Sequence, residues 1–124
     1  MNKIIPIKTN IETFFLQYLN ILSPITRING KEAEVLAELM YQNHVKNHIP
    51  EDDRFKLIFG STMRAMMIQR LETSGPIFRN AITKLRKQGA IIDNKLHPSF
   101  LLTIDKEMGV TFKFKLEDYN ESTI

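Results

Sequence analysis

The sequence predicts an α+β fold, helical from Ile11 to Gln88 and β-structured beyond Gly89. Three observations carry this. Apolar residues recur at helical spacing in successive segments up to Gln88. The pattern then changes to alternation, clearest in Val110, Phe112, Phe114 and Leu116. The breaks between segments, at Ser23-Pro24, Ile49-Pro50 and Ser74-Gly75-Pro76, use residues that stop one helix and start the next.

The 124 residues suit a single domain. With 43% hydrophobic and 25% charged residues, the chain can fill one modest core without a disulfide or metal staple. The absence of cysteine excludes disulfides, thiolate metal sites and cysteine nucleophiles, and fits a reducing compartment. No apolar run approaches the ~18 residues of a membrane span. Met1–Pro6 lacks the apolar stretch of a secretion signal, so a cytoplasmic protein is expected.

Residues 1–10 read as a flexible arm, 11–116 as the domain and 117–124 as a flexible tail. The first helix spans Ile11–Leu22, with Asn10 as N-cap and Ser23-Pro24 as its end. Its stripe is Ile11, Phe14, Phe15, Tyr18, Leu19 and Leu22. A second helix starts after Asn29, with Glu32 and Glu34 near its N-terminus and Val35, Leu36, Leu39 and Met40 as its apolar face. Glu51-Asp52-Asp53 reads as an acidic corner, and 54–59 as either a short strand or a helical turn. Ser61 or Thr62 should cap a third helix reaching about Glu72, with Met63, Met66, Met67 and Leu71 inside. The fourth helix, Ser74 to Gln88, has Ser74 as N-cap, Pro76 in its first turn and Gly89 as its left-handed stop. Ala90–Ile92 is a short β run and Asp93-Asn94 a turn. Strands at Phe100–Ile104 and Val110–Leu116 should form a hairpin with its tip at 105–109. A three-helix helix-turn-helix core, a C-terminal β-hairpin and one extra N-terminal helix make a winged-helix arrangement.

Charge is distributed unevenly. The net charge is +3, yet the window 54–95 holds nine basic residues against two acidic ones, Glu72 and Asp93. The rest of the chain is net acidic, which implies one cationic face. That surplus centres on the helix after Ser74. Phe78, Ala81, Ile82 and Leu85 supply its inner stripe. Arg79, Asn80, Thr83, Arg86 and Lys87 occupy the opposite face, with Lys84 on the flank, and no acid lies between Thr73 and Ala90.

A helix entering a DNA major groove needs this division. Arg79 suits bidentate contact to guanine and Asn80 to adenine, and Thr83 permits close approach. Arg86 and Lys87 lie where phosphate contact is expected. Ser74 and Gly75 offer backbone N–H groups to a phosphate, and Lys95 extends the basic surface beyond the helix.

The run from Ser74 to Ile92, with Leu85-Arg86-Lys87-Gln88-Gly89 feeding a hydrophobic strand, resembles the recognition helix and first strand of MarR-like winged-helix regulators. Ile28–Leu36, a polar start followed by Glu and Val-Leu, is similar to their first core helix. The resemblance implies a DNA-binding transcriptional regulator with double-stranded DNA as partner. The chain also looks like small phage-encoded proteins, which places it in the host cytoplasm or the virion.

Two departures keep a second reading open. The expected hairpin tip, Asp105-Lys106-Glu107, is acidic where MarR-like wings are basic, and the long dimerising helices are reduced to Ile11–Leu22. That helix is rich enough in aromatics to suggest a homo-oligomer interface. An interaction module in a larger assembly, such as a phage structural or morphogenesis protein, accounts for both. His44, His48 and His97 lack the spacing of a metal site. No nucleotide-binding glycine loop or hydrolase triad pattern is present, so neither cofactor nor enzymatic activity is expected.

Overall fold

The computed structural model describes residues 4–6, 11–102 and 111–113. Five helices lead: α1 (Ile11–Thr26), α2 (Gly30–Val45), α3 (Glu51–Ile58), α4 (Ser61–Arg70) and α5 (Gly75–Lys87). With β1 (Ile4–Pro6), β2 (Ile91–Ile92), β3 (Lys95–Leu96) and β4 (Thr111–Lys113) they make an α+β fold. β2 pairs with β3 and β1 with β4, both antiparallel. Among the described residues no helix is long and apolar enough to cross a membrane.

α2 lies at the centre. Val35 to Met40 are six consecutive buried residues, so this helix is enclosed on every side, beyond the single stripe expected. It packs against α1, α3 and α5. Phe14, Phe15, Tyr18, Leu19 and Leu22 of α1 are all buried against this core. The aromatic surplus that suggested a subunit interface is therefore absorbed within the chain. Ile21 and Ile25 are the large apolar side chains that α1 leaves exposed.

α1 does not end at Ser23-Pro24 but continues to Thr26, with Pro24 inside it. Proline has no N–H for the carbonyl four residues back, here that of Asn20. The Ser23 hydroxyl donates to that carbonyl at 3.0 Å and so occupies the orphaned acceptor.

The acidic corner is the first turn of α3. Pro50 stands at its N-cap, and Glu51, Asp52 and Asp53 meet the positive end of the helix dipole. Phe55 and Ile58 face the core. Arg54 fixes α3 to the end of α2 by donating to Asn43 Oδ1 at 2.6 Å and to the Ile49 carbonyl at 3.1 Å. Gly60 links α3 to α4. A Cβ there would stand 3.2 Å from the Leu57 carbonyl oxygen, so a side chain would press that carbonyl back by a few tenths of an ångström. Gly60, rather than Ser61 or Thr62, is the N-cap of α4. Met63 and Met67 are buried, whereas Met66 is exposed.

α4 ends at Arg70 in a Schellman motif: Thr73 N–H donates to Ile68 O and Glu72 N–H to Gln69 O, both at 3.1 Å. Glu72 takes the left-handed position with φ of 52°, which favours glycine. Glu72→Gly is expected to raise stability by about 0.5–1 kcal/mol, read as a higher urea midpoint at unchanged m-value.

A buried carboxylate ties α4 to α2. Glu38 accepts from Arg70 Nε at 2.9 Å, Arg70 Nη2 at 3.2 Å and Gln42 Nε2 at 2.7 Å. The Arg70 guanidinium also stands 5.0 Å from the Tyr41 ring centroid. The hydrogen bond to Glu38, with its charge, raises the Arg70 pKa further above its usual value.

The β-structure departs from the expected wing. β2 and β3 form a two-residue hairpin over Asp93-Asn94, both with positive φ (52° and 55°), as a type I′ turn requires. Pro98–Phe100 is a 3-10 turn in place of the start of a strand. β4 pairs with β1, Ile5 opposite Phe112; of the strand expected at Phe100–Ile104, only Phe100–Leu102 are described, and none of these three is in a strand. Ile4–Pro6 is thus a strand within the expected N-terminal arm. The acidic tip at 105–109, the Asn10 cap and the tail 117–124 lie outside the described residues.

His97 explains the 3-10 turn. Its Nδ1 accepts from the Ser99 N–H at 3.0 Å, which requires that nitrogen to be unprotonated. Burial holds the imidazole below its ordinary pKa of 6.5. The unfolded chain therefore binds the proton more readily, and stability is complete above about pH 6.5 and falls as pH drops below it. Wild type is expected to lose more thermal stability between pH 7.5 and 5.5 than His97→Asn, whose amide oxygen preserves the cap without titrating.

Candidate nucleic-acid interface

α5 is built as the sequence predicts. The Ser74 Oγ accepts from the Ile77 N–H at 3.3 Å, and Pro76 occupies the first turn. At the other end Ala90 N–H donates to Leu85 O and Gly89 N–H to Arg86 O, with Gly89 at φ of 79°. Phe78, Ala81, Ile82 and Leu85 are buried, and α5 packs more broadly on α2 than on α4. Burial of that stripe fixes the azimuth of the helix. Arg79, Asn80, Thr83, Lys84, Arg86 and Lys87 are all exposed.

Within this face the residues differ in availability. Arg79 folds back toward the helix start, where its Nη1 lies 3.3 Å from the position a Gly75 Cβ would take. Ile77 N–H is bound to Ser74 Oγ, Phe78 N–H to Ser74 O, and Pro76 has none, which leaves the amides of Ser74 and Gly75 at this end. Arg79 and those amides thus offer donors at one end of the helix. Thr83 donates its hydroxyl to the Arg79 carbonyl at 3.0 Å. Arg86 donates to Asn94 Oδ1 at 2.8 Å, an amide that orients the guanidinium without cancelling its charge.

Much of the basic surplus in the window 54–95 is compensated by acids outside it. Arg70 pairs with Glu38, Lys84 with Glu32 at 3.5 Å, and Lys95 with Asp52 at 2.5 Å. The hydrogen bond between the last two holds the Asp52 carboxyl below its usual range and raises the Lys95 ammonium. Both groups are solvent-facing, so the contact acts chiefly as a clasp between α3 and the hairpin. Lys95 and Lys84 therefore stand apart from the uncompensated cations. Among the described residues no carboxylate pairs with Lys56, Arg64, Arg79, Arg86 or Lys87.

Arg64 and Ile77 are exposed residues beside the candidate face that sequence reasoning did not select. Arg64, near the start of α4, lines a groove of about 200 Å³ together with Arg79, Thr83 and Arg86. Its basic side chain on the polar side of α4 was visible in sequence. The azimuth that brings it beside α5 was not, because it depends on how α4 leaves Gly60. Ile77 is 46% exposed in the first turn of α5, where an apolar side chain can meet a thymine methyl group. Among the described residues no three His, Asp or Glu side chains are grouped to hold a metal ion. The chain matches no protein-family model, no curated protein and no solved structure.

Proposed function

We propose that this chain is a winged-helix DNA-binding protein serving as a transcriptional regulator, with α5 as recognition helix and the Ile91–Leu96 hairpin as a short wing. One observation carries the reading. A capped helix, anchored by a buried stripe, exposes Arg79, Asn80, Thr83, Arg86 and Lys87 with no acid on its outer face. Arg79 and Asn80 near the helix start are placed to read base edges, and Arg86 and Lys87 to hold phosphates. Lys84 and Lys95 exchange weak surface ion pairs for phosphate contacts when duplex approaches.

The competing reading, an interaction module in an assembly such as a phage virion, rests on Ile21 and Ile25, exposed one turn apart on α1. Light scattering combined with duplex anisotropy separates the two. A monomer or dimer that binds labelled random-sequence duplex supports the regulator. A ring or larger oligomer with no affinity for duplex supports the assembly module.

A further inference from the structure

The side chains of Arg64, Arg79 and Arg86 line one groove between the α3–α4 corner and α5, walled by Phe59, Phe78 and Ile82. No carboxylate lines it. Three arginine side chains bordering a largely apolar hollow favour an anion there. Only Arg86 of the three has a side-chain partner among the described residues, and Asn94 carries no charge.

Size and charge together select the ligand. An apolar cavity of about 150 Å³ is enough to hold benzene, whereas drug-sized ligands need roughly 300 Å³ or more. At about 200 Å³ the groove admits one ring system. Three arginine forks match the three oxygens and near-double negative charge of a phosphate monoester better than a singly charged carboxylate.

We propose that this groove binds a phosphate monoester bearing one aromatic or heteroaromatic ring system. The ring lies against Phe59 and the apolar floor, and the phosphate is held by Arg64, with Arg79 and Arg86 turning onto it from Gly75 and Asn94. Because Arg79 and Arg86 also belong to the face assigned to DNA, the ligand displaces duplex directly. That last step rests on the function proposed above, whereas ligand binding itself does not.

Calorimetry on the full chain tests the site, with phenyl phosphate and adenosine 5′-monophosphate as probes and inorganic phosphate, phenol and adenosine as controls. Both probes are expected to bind one to one, at least tenfold tighter than any control. Arg64→Gln should weaken both at least tenfold, while Lys31→Gln, on the surface of α2, changes neither. Probe affinity no better than that of inorganic phosphate, or unmoved by Arg64→Gln in a folded variant, overturns the site. Duplex anisotropy then separates the two proposals. Duplex bound and released by phenyl phosphate upholds displacement. Duplex bound but unaffected by saturating probe overturns displacement and leaves the DNA reading standing. A bound probe with no duplex affinity upholds the site and overturns the DNA reading.

Discussion

Replacement of Arg79 by alanine is expected to weaken duplex binding by about 1–3 kcal/mol and to relax specificity at one base pair. Residues in the first turns of a recognition helix reach base edges, and arginine is the side chain best matched to guanine O6 and N7. Arg79 lies in that position with its guanidinium beside Gly75, near the free amides of the helix start. On the proposed reading its loss removes a base contact and part of an anion site together. Lys87→Ala, further along the same face, should weaken binding about equally for all sequences. Anisotropy with a preferred duplex and single-base variants distinguishes the two patterns.

The largest stability loss at a charged position is expected for Arg70→Ala, about 2–3 kcal/mol in urea unfolding at neutral pH. Glu38 is 7% exposed and takes two of its three hydrogen bonds from Arg70. Without that guanidinium the carboxylate stays buried with only Gln42 as its donor. The Arg70 side chain is itself 35% exposed, so the cost falls below that of breaking a fully enclosed pair. The double variant Glu38→Leu, Arg70→Met should recover most of the loss, because a shape-filling apolar pair avoids the desolvation penalty.

Helices with a strong two-sided pattern and side-chain punctuation were legible in sequence. α5 is the clearest case: Ser74, Pro76, the Phe78–Leu85 stripe and Gly89 each perform the role that their chemistry implies. α3 was not legible as a helix because only Phe55 and Ile58 of its eight residues are buried, too few to set a period. The informative signal was Pro50 followed by three acids, a helix N-terminus whose dipole matters more than its apolar face. Pro24 misled in the opposite direction, since the Ser23 hydroxyl replaces the missing donor.

The alternating run at 110–116 marked a strand correctly at Thr111–Lys113 but not its partner, because period-2 spacing carries no information about pairing. β1 was read as an arm because Ile4–Pro6 is too short to show a pattern.

The same limit applies to charge. Counting residues located the basic window but overstated its free charge. Glu32, Glu38 and Asp52 reach into it from outside its boundaries in sequence. The tertiary fold removes Arg70, Lys84 and Lys95 from the uncompensated set and adds Arg64 to the α5 face.

The salt dependence of duplex affinity tests the basic face of α5 most directly. Four uncompensated cations beside that face, Arg64, Arg79, Arg86 and Lys87, predict a log–log slope of about −3 to −4. Between 50 and 200 mM salt that amounts to a loss of ~100-fold. Lys87→Ala should bring the slope about one unit closer to zero. A folded chain with no duplex affinity at low salt, or with an affinity that salt leaves unchanged, contradicts a nucleic-acid role for the Ser74–Gln88 helix.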